Sequence, residues 1–173
     1  MDNFGEHLIK IRKNSKAMGT LAAVWAMLLG VAFASYFIPA LPLLFNFIIT
    51  AVAVFGGVHF TRMLNIEYEY MVTNGEFDVD IITNRSNRKR ILSFHCKDID
   101  RIEVYDKGNS MYEKGEYDKK NVYCNANDED VYCVSFKHKS IGKVCLVMQL
   151  PENIREAMEP YMNKLVVREA FGK

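Results

Sequence analysis

The chain has 173 residues, with 22 lysines and arginines against 21 aspartates and glutamates, a formal net charge of +1. That length holds one small domain plus a short additional segment, and so even a balance gives no global field of the kind that gathers nucleic acid. The mean hydropathy of -0.07 is ordinary only because two unlike halves cancel: residues 17–61 contain no Lys, Arg, Asp or Glu, while 62–173 carry most of the charge.

Residues 1–16 form a cationic leader in which Phe4, Leu8, Ile9 and Ile11 mix with Lys10, Arg12, Lys13 and Lys16. This suits either a short amphipathic helix on the inner leaflet or a solvated segment that only sets orientation. The uncharged run 17–61 follows. A bilayer core about 30 Å thick takes about 20 helical residues. The run is twice that length, and Ile38-Pro39-Ala40-Leu41-Pro42 interrupts it near the middle. It reads as two membrane-spanning helices, about 17–37 and 43–61, joined by a tight turn. A secretory signal would have a shorter apolar core and a small-residue cleavage site.

Lys10, Arg12, Lys13 and Lys16 precede the first span, Arg62 follows the second, and the turn between is uncharged. Cationic flanks stay cytoplasmic, so both termini and everything after residue 62 are expected on the cytoplasmic face of the cell membrane. In that reducing compartment Cys96, Cys124, Cys133 and Cys145 need form no disulfides. Ala22, Ala26, Gly30 and Ala34 recur every four residues on the first helix, and Asn46, Thr50, Ala53 and Gly57 share a face of the second. Small faces let membrane helices approach closely, and these eight are read as hairpin packing. The rival is a polar path through Asn46, Thr50 and His59, but two helices cannot enclose a pore. Trp25, about 13 Å beyond Lys16 at about 1.5 Å per residue, falls at mid-membrane and reads as packing.

Beyond Arg62 the pattern alternates. Ile66, Tyr68, Tyr70 and Val72 alternate with Glu67, Glu69 and Met71, the period of a half-buried strand, and Asn74-Gly75 is a strong hairpin signal. Further strands are marked by Phe77, Val79 and Ile81; by residues 88–95 after the polar turn 84–87; by Ile99, Ile102 and Val104; by residues 122–124; by Tyr132, Val134 and Phe136; and by Val144, Leu146 and Met148. Residues 106–120, rich in Lys, Asp, Glu and Gly, read as a mobile loop. Pro151 opens a helix over about 151–169, striped by Ile154, Met158, Tyr161 and Leu165, which Pro160 should kink or split. The fold class is α+β: a transmembrane helical hairpin, then a domain over 62–173 of about seven antiparallel strands (66–150) bent into a barrel or sandwich and closed by a C-terminal helix.

The stretch Tyr70-Met-Val-Thr-Asn-Gly-Glu-Phe-Asp-Val-Asp80, with Arg88-Lys-Arg-Ile-Leu-Ser-Phe94 and Asp98-Ile-Asp-Arg-Ile-Glu-Val104, resembles bacterial pleckstrin-homology-like (PH-like) domains, which often follow a pair of membrane helices. Over residues 1–150 the chain also resembles a group of two-helix membrane proteins of Gram-positive anaerobes. It departs from the commoner pattern in lacking a glycine in the second hairpin and a proline before Ile99, and in carrying the charged 106–120 segment. The resemblance implies a fold and a location, and no activity.

Arg85, Arg88, Lys89 and Arg90 form the densest cationic cluster. Each cation near an anionic leaflet is worth about 1 kcal/mol, so the cluster is a candidate contact for anionic lipid or an acidic partner; equally, it is a charged hairpin that blocks edge pairing. No aromatic residue interleaves it for base stacking, and no nucleic acid is expected. Asp78, Asp80, Asp98, Asp100 and Glu103 are expected to point to solvent. The cysteines, with His95 and His138, lack the close pairs of a zinc site and are expected in the core, as are Tyr68, Tyr70, Phe77 and Phe94. No catalytic, cofactor-binding or metal-binding residue is assigned. The expected function is a binding or scaffold module recruiting a protein partner, or self-associating, at the membrane; the alternative is anionic-lipid sensing, and a remoter one a metal-dependent or redox enzyme.

Overall fold

A computed structural model describes residues 4–13 and 15–172. It contains eight strands and five α-helices: β1 (Phe4–Lys10), α1 (Ser15–Ser35), α2 (Leu43–Met63), β2 (Ile66–Thr73), β3 (Glu76–Thr83), β4 (Asn87–His95), β5 (Ile99–Val104), α3 (Met111–Lys114), β6 (Lys119–Val122), β7 (Val131–His138), β8 (Gly142–Gln149), α4 (Glu152–Met158) and α5 (Lys164–Phe171). The fold is α+β, and it forms two units. One holds the strands and C-terminal helices; the other holds Arg12–Ile66 together with the turn Thr83–Asn87.

The strands make two four-stranded sheets, ordered β1-β2-β3-β4 and β5-β7-β8-β6. Their inner faces meet in one core. Phe77 stacks on Phe94 at 4.9 Å between ring centroids, and Phe94 on Phe136 at 4.1 Å, which joins the sheets. Tyr70, fully buried, donates its hydroxyl to Tyr123 O at 2.8 Å. The expected aromatic core is thus present, with Tyr68 packed half-buried at its margin. All four cysteines are buried and free.

The leader is neither an interfacial helix nor a solvated segment. Its residues 4–10 are β1, paired antiparallel with β2 from Phe4 opposite Thr73 to Lys10 opposite Glu67. Ile9 enters the core, and Gly5 is buried where α4 crosses. The domain therefore begins before the helical hairpin, not at residue 62. Residues 106–120 are not a plain loop either: α3 and the start of β6 lie within them, and Met111, Tyr112 and Tyr117 pack on the core. β6 runs parallel to β8, a departure from the expected antiparallel pattern.

Pro160 splits the C-terminal helix. A 3₁₀ turn, Glu159–Tyr161, separates α4 from α5, and the Asn163 side chain caps α5 by accepting the Leu165 N–H at 3.0 Å. α4 packs on β1 and α5 on β5, closing the sheet edges. Gly75 is fixed twice over: its φ of +85° suits the turn between β2 and β3, and an added Cβ would stand 2.6 Å from the Tyr161 ring.

In the other unit, α1 and α2 are long and apolar enough to cross a membrane, and most of their large side chains face outward, Met27 at 72% exposure and Phe55 at 77%. Asn46, Ala53 and Gly57 are the buried residues of α2, with Thr50 half-buried. The first-helix stripe is corrected: Ala22, Ala26, Gly30 and Ala34 are exposed, and the covered positions include Leu21, Trp25, Leu28, Ala32 and Ser35. A row at every fourth residue drifts around a helix of about 3.6 residues per turn, whereas alternating steps of four and three keep to one partner. Large residues on α1 meet small ones on α2. The Trp25 ring fills the space over Gly57, and its Nε1 donates to Thr61 Oγ1 at 3.1 Å.

Candidate functional site

The cationic cluster lies on two structural settings. Arg85 is in the turn between β3 and β4, where Asn84 and Arg85 both take positive φ, 55° and 58°. That is the two-residue turn geometry that usually selects Asn-Gly; a bulky arginine there holds the backbone in a region it rarely adopts. Asn84 N–H donates to Asn65 O at 2.9 Å, so this turn abuts the chain just past α2.

Arg88 and Arg90, on β4, reach across the outer face of their sheet. Arg88 Nε lies 2.6 Å from Asp80 Oδ2, and its Nη2 lies 2.6 Å from Glu69 Oε2. Arg90 Nε lies 3.1 Å from Asp80 Oδ1, and its Nη2 lies 2.8 Å from Asp78 Oδ2. The arginine side chains keep about half their surface in solvent, 45% and 50%, while those of Asp80 and Glu69 keep only 6% and 8%. Asp78 and Asp80 therefore do not point freely to solvent as their alternation suggests. The pleat does place them on the outer face, but the long arginine side chains lie over them and exclude water.

The electrostatics follow. Burial lifts the Glu69 carboxyl above the ordinary carboxylate range; Arg88 pulls it back, and Glu6 and Asp80 push it further up. The hydrogen bond to Asp80 raises Arg88 further above its already high value. Two arginines neutralised by three carboxylates offer little net field to an anion. Lys89, between them, is exposed. Sequence reasoning missed Glu69 as the third carboxylate, since its contact with Arg88 depends on three strands lying side by side.

At the other end of the same sheet, a cleft of about 200 Å³ lies over Phe94, lined by His95, Asp98, Glu76, Lys137, His138 and Lys139. Its acids and lysines balance. Ser140 N–H donates to His138 Nδ1 at 3.3 Å. The cleft suits a small polar ligand rather than a strong anion. Its residues come from the ends of β3, β4 and β7, and nothing in their spacing announces it.

The cysteines form no ligand set: among the described residues no group of three or more His, Cys, Asp or Glu is arranged to hold a metal ion. Burial pushes the Cys96 and Cys124 thiols up to about 12, so both stay protonated. Of the residues expected to set topology, Lys10 ends β1 and Arg62 lies in the last turn of α2, while Arg12, Lys13 and Lys16 flank the start of α1.

The two-sheet core closed by C-terminal helices agrees with a comparison of sequences: the profile of the bacterial PH-like domain family DUF6106 matches residues 1–168. The chain belongs to that family. The matched region takes in β1 and both apolar helices, so the PH-like domain and the hairpin within it belong to one family unit. A search of curated proteins found no match.

Proposed function

We propose that the chain is a membrane-anchored PH-like binding module that holds a protein partner at the cytoplasmic face of the cell membrane, by binding and without catalysis. The observation that carries this reading is the placement of the helical hairpin: two apolar spans interrupt a PH-like domain between strands that pair with each other. Paired strands lie on one side of a bilayer, so residues 11–65 cross it an even number of times. Arg62 and the cations before α1 favour the cytoplasmic side. The hairpin's outward apolar side chains are those of helices whose solvent is lipid.

A photo-crosslinking side chain at exposed Lys89, used in native membranes, tests the partner. A discrete protein adduct is expected; adducts to lipid alone would refute partner binding at this face. Lipid contact has one observation in its favour, the position of the Arg85 turn at the end of α2. Arg88 and Arg90 are engaged with carboxylates, so the lipid reading rests on where this turn lies rather than on those two charges.

A further inference from the structure

β1 ends at Lys10 and β2 begins at Ile66, yet the two are immediate neighbours, with Lys10 opposite Glu67. Such strands are ordinarily joined by about two to five residues. Here the connection contains both apolar helices.

The place that β1 fills is shaped for it. One side is the edge of β2. The other is α4, which comes so close that a Cβ on Gly5 would stand 2.8 Å from Ala157 Cβ and 3.1 Å from Asn153 O. Asn153 Nδ2 donates to Glu6 O at 2.9 Å, and Asn125 Nδ2 donates to Lys10 O at 3.1 Å. Ile9 is buried to 4% exposure in the core. An empty slot would bare the backbone donors and acceptors of β2, an edge that folded proteins cover.

We infer that β1 makes folding of the PH-like domain conditional on correct membrane insertion: residues 4–10 dock in the slot between β2 and α4 only when the intervening chain crosses the bilayer an even number of times. With one helix inserted, β1 and β2 lie on opposite sides of a hydrocarbon layer about 30 Å thick, and polar strand backbone does not cross it. The folded domain is then a record that the chain is not left with a single helix inserted. This rests on the reading of α1 and α2 as membrane-spanning.

The test uses the full chain in native membrane vesicles, with maleimide labelling of the four cysteines as readout, since all are buried in the folded domain. One variant carries a single extra apolar span inserted between Lys13 and Ser15, which moves β1 to the far side; a second carries two extra spans there, which restores it. Wild type and the two-span variant are expected to resist labelling, and the one-span variant to label about tenfold faster or more, because access to a buried thiol follows local opening. Gly5→Trp, which leaves the spans alone, is expected to label like the one-span variant. Protection of the one-span variant or of Gly5→Trp at the wild-type level overturns the inference, as does loss of protection with two extra spans. Alkaline carbonate extraction in parallel separates the two readings: release of the wild-type chain refutes the membrane anchor itself.

Discussion

Replacing Gly5 by alanine tests the contact that seats the first strand. Strand propensity alone favours the change by about 0.5–1 kcal/mol, so the sign of the effect is informative. The new methyl carbon would stand 2.8 Å from Ala157 Cβ, 3.1 Å from Asn153 O and 3.4 Å from Ile154 Cδ1, where carbon atoms prefer about 3.5–4.0 Å. The two nearest neighbours are a methyl fixed on the helix and a backbone carbonyl, and neither can rotate away. α4 must back off, which also lengthens the 2.9 Å bond from Asn153 to Glu6 O. Overpacking of this kind costs about 1–3 kcal/mol and a weakened hydrogen bond about 1 kcal/mol more, so a net loss of about 1–3 kcal/mol is expected after the propensity gain. Ala157→Gly removes the opposing methyl and by itself costs about 1 kcal/mol of helix propensity. The double variant is expected to be more stable than the sum of the two single losses predicts, by about 1 kcal/mol. Urea unfolding in mild detergent, followed by cysteine accessibility, reads the domain directly. A Gly5→Ala variant as stable as wild type, or strict additivity with Ala157→Gly, would refute the close-packed seat.

Gly75→Ala is expected to cost about 2–4 kcal/mol, because a φ of +85° is combined with a Cβ 2.6 Å from the Tyr161 ring; Gly108→Ala, at φ +87° with nothing within 4 Å, should lose only the conformational part, about 1–2 kcal/mol. Equal melting shifts for the two would remove the ring contact from consideration. In Glu69, burial is the main cause of a raised carboxyl, so the folded chain binds that proton more tightly than the unfolded one. The associated stability is present below the ordinary value of 4.5 and is lost as pH rises through the folded value. Glu69→Gln should flatten that decline in urea midpoints measured in pH steps, and an unchanged slope would count against it. In the hairpin, Gly57→Leu would displace the Trp25 ring that lies 2.8 Å from an added Cβ; since Trp25 is the single tryptophan, a changed emission maximum in lipid vesicles is the expected sign, and an unaltered spectrum the contrary one.

What the sequence made legible was whatever rests on local period. Strands with clean alternation such as Ile66–Thr73, the Asn74-Gly75 turn, the two apolar helices and the break at Pro160 all carry their signal within a few residues. β1 does not. Its inward residues are Gly5, His7 and Ile9, and its outward ones include Phe4 and Leu8, so polarity gives no alternation, and its partner lies beyond the whole hairpin. The α1 face was misread for a related reason: small residues at every fourth position draw the eye, but the covering of Ala32 and Ser35 follows from where Trp25 and Leu28 find room on α2. The strand expected at residues 122–124 lies instead at Lys119–Val122, and its parallel pairing with β8 depends on the path of residues 106–120, which composition alone describes as loop.

The arginine–carboxylate pairing changes how a basic motif on this domain should be tested. Arg88 and Arg90 each contact two carboxylates, and Asp80, at 6% exposure, is shared by both. Removing one partner of a buried ion pair costs about 3–5 kcal/mol when both members are buried; with the arginine side chains half in solvent the penalty is smaller, toward the exposed-pair range of up to about 1 kcal/mol per contact. Charge reversal at Arg88 would add a fifth carboxylate beside Glu6, Glu69, Asp78 and Asp80, and the loss of binding that followed would not distinguish an anion contact from a disrupted sheet. Lys89→Glu changes an exposed position of the same strand, whose side chain alternates to the opposite face from the two arginines, and leaves their pairs intact. If the β4 surface holds an acidic partner or an anionic headgroup, Lys89→Glu weakens the association while the urea midpoint stays within about 0.5 kcal/mol of wild type. If binding survives Lys89→Glu, the exposed lysine is not the contact, and a loss seen only on Arg88 reversal assigns no surface, because that change also breaks the pairs with Asp80 and Glu69.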